Sequence, residues 1–241
     1  MSEFNYNRDY NTATYHEGSV TTALTENSVF RNVYLWMCGA LTITGLVAYY
    51  VASNPSVMYS LFSNQMVFYG LIIAEFVLVV ALTAAINKIS ALTATLMFLV
   101  YSVINGLTLS AIFVIYTMGS IATTFFVTAG TFGIMAIYGS VTKTDLTKIG
   151  NICFMGLIGI IIAALVNIFL KNSMMDMIIS IVGVLVFVGL TAYDTQKIKQ
   201  MLWNAEVNDT TQKLAVLGAL TLYLDFINLF LHLLRLLGNR K

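Results

Sequence analysis

Long unbroken runs of apolar side chains, roughly 18 to 25 residues each, recur from Val33 to Leu237. A run of that length crosses the hydrocarbon of a bilayer as a helix, which satisfies its own backbone. A membrane β-barrel would show shorter, alternating segments. With 59% hydrophobic and 10% charged residues, the chain has too few polar side chains to cover a water-facing surface, so the expected fold is all-α and polytopic. The net charge of +1 includes no basic block, which argues against a nucleic-acid partner and leaves the lipid bilayer as the first one. Cys38 and Cys153 both fall inside apolar runs, where buried free thiols are expected.

Residues 1–30 are polar and carry Arg8, Asp9, Glu17 and Glu26 without an apolar core, so they read as a flexible tail and not as a secretory signal. Residues 31–241 then form the transmembrane domain. Seven spans are expected, at about 33–51, 66–86, 91–116, 121–140, 152–170, 175–203 and 214–237. The single proline, Pro55, marks the loop after the first span, and Thr142 to Lys148 is the most polar loop between spans. A cytoplasmic N-terminus puts Arg8, Arg31, Lys88, Lys143, Lys148, Lys197, Lys199 and Lys213 inside. Only Lys171, Arg235, Arg240 and Lys241 are then outside, as the positive-inside rule prefers.

Three acids interrupt the spans: Glu75 in the second, Asp194 towards the inner end of the sixth and Asp225 at the middle of the seventh. A carboxylate at such a depth costs on the order of 3 kcal/mol on insertion scales. At 100° per residue Thr221, Asp225, Asn228, His232 and Arg235 form one narrow stripe on an otherwise leucine- and phenylalanine-covered helix. That stripe must face other helices or a wet cavity. The sixth and seventh spans are consecutive and antiparallel, so Asp194 and Asp225 can meet. Two carboxylates in a low-dielectric site tend to share one proton, and a proton-sensitive latch follows from that.

Plainer roles stay open for each acid. Asp194 can bond to backbone or to Thr191, Asp225 can sit neutral or pair with Arg235, and Glu75 can be a buried protonated acid of structural use only. His232 and Arg235 belong near the outer interface, and Asp176 opens the sixth span where the helix dipole favours an anion. Other chemistries fit poorly. No lysine lies deep in a span to hold retinal. Tyr193-Asp194 resembles one intramembrane aspartyl protease signature, but the glycine-rich partner is missing before Asp225. No phosphate loop, metal-spaced His/Cys cluster or Ser/His/Asp set appears, so an enzyme is not expected.

Tyr193-Asp194-Thr195-Gln196, followed by Leu222-Tyr223-Leu224-Asp225-Phe226-Ile227-Asn228-Leu229-Phe230, resembles the Bax inhibitor-1 family, the transmembrane Bax-inhibitor-motif proteins. Asn105-Gly106-Leu107-Thr108-Leu109 and Thr142-Lys143-Thr144-Asp145-Leu146-Thr147 extend the likeness, and the latter looks most like bacterial members. The resemblance implies six helices around a buried seventh, a bacterial inner membrane, and a pH-sensitive Ca²⁺ leak controlled by an aspartate pair. Asp194 and Asp225 would be that pair and the possible Ca²⁺ ligands, with Glu75 at a further family position. Some members place an arginine at the inner end of the second helix to pair with the first aspartate, and here Lys88 is the nearest basic residue. No cofactor is implied beyond Ca²⁺ as bound or transported ion. Family roles in cell death and in regulating a membrane-bound AAA protease supply the alternative, a non-conducting interaction protein.

Overall fold

The computed structural model describes residues 6–202 and 208–241, with side chains from Val29 onward. Residues 1–5 of the polar tail, and Trp203 at the expected end of the sixth span, lie outside the described residues. The helices are α1 (Tyr6–Ser53), α2 (Pro55–Phe62), α3 (Gln65–Ala85), α4 (Ala91–Leu109), α5 (Ile112–Ile115), α6 (Met118–Val141), α7 (Thr147–Leu170), α8 (Ser173–Leu202) and α9 (Asp209–Leu237). Seven of the described helical stretches are long and apolar enough to cross a membrane, the first beginning at Val29 and the third running from Ala91 to Ile115.

Local chemistry sets most of the boundaries. Asn64, Ser90, Thr117 and Asn208 stand in extended conformation before α3, α4, α6 and α9. Each accepts a hydrogen bond from a backbone N–H two or three residues on, satisfying a donor the first turn leaves unpaired. Pro55 does not sit in an open loop as expected. It opens α2, where its missing N–H costs nothing and its fixed φ suits the first helical position. The third span is not one helix either, because α4 stops at Leu109 and the chain makes a turn at Ser110, whose hydroxyl donates to the Leu107 carbonyl (2.6 Å), before α5.

Helix α9 packs on α1, α4, α6 and α8, whereas α7 lies on α8, and α3 on α4 and the short α2. The ring of six expected around the seventh helix is therefore clear for four of them. Both ends of α9 are tied down. At its start the Asp209 carboxylate accepts from Ala91 N (3.1 Å), joining it to the start of α4. Past its end, Arg240 pairs with Tyr116 as an isolated antiparallel bridge, Thr117 N donates to Asn239 O (3.1 Å), and Lys241 Nζ donates to Phe113 O (2.7 Å). At the α7–α8 turn the buried Asn167 donates to Asp176 (2.7 Å), so Asp176 has a side-chain partner as well as its place at a helix start.

Candidate functional site: a cavity holding three carboxyl groups

Helices α8 and α9 pack in contact, and close approaches by α6 and α7 position the α8 segment around Asp194. A Cβ on Gly139 of α6 would collide with the Ala192 backbone, and one on Gly150 of α7 would fall within the Tyr193 ring. These two glycines let α6 and α7 close on either side of the α8 segment that carries Asp194. Two residues past Asp194, the buried Gln196 reaches into the loop between α6 and α7, accepting from Leu146 N (2.9 Å) and donating to Thr144 O (2.8 Å). The polar loop and the Tyr-Asp-Thr-Gln stretch are thus parts of one assembly.

Across the α8–α9 contact the Asp194 and Asp225 carboxyl groups are close enough to interact with each other. A carboxylate can only accept, so one proton held between them is what turns the approach into a bond. Asp225 is 5% exposed, and its Oδ2 receives no other donor among the described residues. Both acids line a cavity of about 740 Å³ bounded by α3, α4, α7, α8 and α9. Glu75, from α3, lines the same cavity and is met differently: Thr108 donates to one of its oxygens and Asn105 Nδ2 to the other (3.3 Å). The chain continues inward. Asn105 Oδ1 accepts from the Tyr223 hydroxyl (3.0 Å), which is 2.7 Å from Thr44 Oγ1, which in turn donates to Ser102 O (2.8 Å). Glu75 is thereby linked through Asn105 of α4 to a tyrosine of α9 two residues from Asp225.

The other expected site residues divide. Asn228 lines the cavity but donates to its own Leu224 carbonyl (2.8 Å). His232 does not reach the cavity; its ring stacks on Phe187 at 5.7 Å and covers Gly183. Arg235 is exposed and borders a separate hollow with Asp176 and Lys171, which removes it as a partner for Asp225. Lys88 is exposed in the α3–α4 turn and does not line the cavity, because α3 ends at Ala85 and the turn carries Lys88 away. The cation beside Asp194 is Lys197, the one basic residue among the described residues that line the cavity, held over the Tyr193 ring at 5.7 Å. Its spacing of three from Asp194 on one helix was the signal for that placement.

The profile of the family described as Inhibitor of apoptosis-promoting Bax1 matches residues 26–241, almost the whole of the chain including every helix that lines the cavity. The chain belongs to the Bax inhibitor-1 family. It is 54% identical to the inner membrane protein YbhL of Escherichia coli over 211 residues, covering 87% of this chain and 90% of that one. A Deinococcus radiodurans protein is 37% identical over 208 residues, covering 86% of this chain and 88% of its own length. This Bax inhibitor-1 family member is accordingly an integral, multi-pass membrane protein.

Proposed function

We propose that this protein is a cation leak of the bacterial plasma membrane, with Ca²⁺ as cargo and the Asp194–Asp225 pair as its proton-titrated gate. The N-terminus is cytoplasmic on this reading, from the distribution of basic residues, and the membrane is the one named for the Escherichia coli relative. The observation that carries the proposal is the buried Asp225 Oδ2, without a partner among the described residues, in a cavity that a second carboxyl group, that of Asp194, also lines. Two carboxylates about 4 Å apart repel by about 4 kcal/mol at an effective dielectric near 20. The pair therefore holds α8 and α9 together when it keeps one proton, and calls for a cation or separates when it keeps none.

Ca²⁺ takes six to eight oxygen ligands in a stable site. Among the described residues no three acidic, histidine or cysteine side chains converge as a metal cage, which suits an ion in transit better than one in storage. Nothing in this reading requires bond-breaking chemistry, and we treat the protein as a non-enzyme. Purified protein in liposomes, loaded with a Ca²⁺ indicator, tests the proposal between about pH 5 and pH 8, the range in which such a pair can titrate. The expected result is a flux that changes severalfold with pH and loses that dependence in Asp225→Asn. A flat absence of flux at every pH would instead favour the non-conducting interaction protein, a regulator of a membrane-bound protease.

A further inference from the structure

The cavity is far larger than an ion needs, and most of its wall is apolar. Phe187, Leu190 and Leu224 line its inner wall beside the acids. Its rim is formed on one side by Ile72 and Phe76 of α3 and on the other by Phe154 and Ile161 of α7, all four exposed at the surface that faces lipid. Helices α3 and α7 share the cavity wall without packing extensively on each other, and the exposed apolar rim they form gives the cavity a way to the bilayer. Its volume of about 740 Å³ is that of a pocket for a drug-sized molecule, a class that runs from roughly 300 to 1,000 Å³. Its charge is lopsided as well: among the described residues three carboxyl groups, from Glu75, Asp194 and Asp225, line it with a single ammonium, that of Lys197.

A bare divalent ion would use only the acid end and leave the rest of the cavity filled by water against leucine and phenylalanine, a poor exchange. A lipid tail would satisfy the walls and leave the Asp225 oxygen without a partner. One chemical class answers both ends. We propose that the cavity binds a lipophilic organic cation, an amine or onium ion carrying aryl or alkyl groups, which enters from the membrane between α3 and α7 and places its charge at Asp225 and its apolar groups among the aromatic rings. The Phe76, Phe154 and Phe187 rings add the attraction of aromatic faces for a desolvated cation. The proposal uses the same acid pair as the leak reading but depends on neither Ca²⁺ flux nor gating by protons.

Equilibrium dialysis of the full-length protein in lipid nanodiscs, with tetraphenylphosphonium as probe and empty nanodiscs as the partition control, tests it. Saturable binding of one cation per chain is expected, weakened about tenfold or more in Asp225→Asn. It should be lost in Leu157→Trp, which fills the cavity from the α7 side, while neutral triphenylphosphine oxide shows partitioning only. Val79→Trp fills the same space from α3 and serves if the first variant does not fold. Binding no greater than in empty nanodiscs, or equal binding of the neutral analogue, would overturn the proposal, the latter pointing to a lipid as occupant. Ca²⁺ flux without probe binding removes this inference alone, and probe binding without flux removes the leak reading alone.

Discussion

Helices α3 and α9 look alike in outline, each a long apolar segment with one acid near its middle, and they end in opposite surroundings. Two-thirds of the spanning part of α9 is buried (67%) against 6% for α3, although α3 is the more apolar of the two. Leu82 is the one buried residue along α3, whereas Leu222, Tyr223 and Leu229 of α9 are sealed from any solvent. In a bilayer an apolar surface is already at home against lipid, so apolarity by itself says nothing about burial. What separates the two helices is where their polar groups lead. Glu75 is satisfied in place by neutral donors on the adjacent α4, while Asp225 depends on a second acid and on whatever proton or cation joins them.

The sharpest way to break this contrast is to truncate one apolar side chain on each helix. Leu229→Ala on α9 leaves a void in packed protein and is expected to cost about 2 to 4 kcal/mol. Ile73→Ala on α3 exchanges one lipid contact for another and should stay within about 0.5 kcal/mol. Reversible unfolding in mixed micelles measures both. Losses of equal size would mean that another protein surface, not lipid, covers α3.

A smaller effect is expected where the two helices are joined through α4. Tyr223→Phe removes the hydroxyl shared by Asn105 and Thr44 without changing the packing of the ring, and it leaves two buried polar groups short of a partner. We expect about 1 kcal/mol of destabilisation. If unfolding is unchanged, the polar chain from Glu75 to Thr44 contributes nothing to holding α3 in place, and the contrast between the helices reduces to one of lipid exposure.

Much of this could be read in the residues, for identifiable reasons. The length of the apolar runs specifies the spans, because the bilayer fixes how long a helix must be. The depth of Asp194 and Asp225 on consecutive antiparallel helices specifies that they can meet. The partners were harder to see. Lys197 and Lys88 have the same chemistry and both flank a span; the spacing of three points to Lys197 sharing the helical face of Asp194, but only the structure shows that Lys88 leaves with a turn. Tyr223 lies inside the same stretch as Asp225, yet one residue in a tyrosine-rich chain gives no sign that its hydroxyl bridges Asn105 and Thr44 across three helices. That α3 and α7 share the wall of one cavity is a matter of tertiary spacing and leaves no trace in either helix's own pattern.

If stabilisation follows depth, the smallest effect belongs to a carboxylate outside the membrane. Asp145, exposed in the loop before α7, accepts from Thr147 N (2.9 Å) and Thr147 Oγ1 (2.6 Å), and these bonds hold its carboxyl below the ordinary aspartate range. A carboxyl lowered by folding adds stability above its unfolded value, near pH 4, and loses that contribution as pH falls through the folded one. Asp145→Ala should therefore unfold slightly more easily than the parent at neutral pH, with the difference narrowing below about pH 4. Acid titration of the unfolding midpoint in micelles reads this directly. A gap that persists unchanged at acid pH would show that the alanine acts on helix initiation itself and not through the charge, since the two Thr147 donors lose their acceptor at every pH.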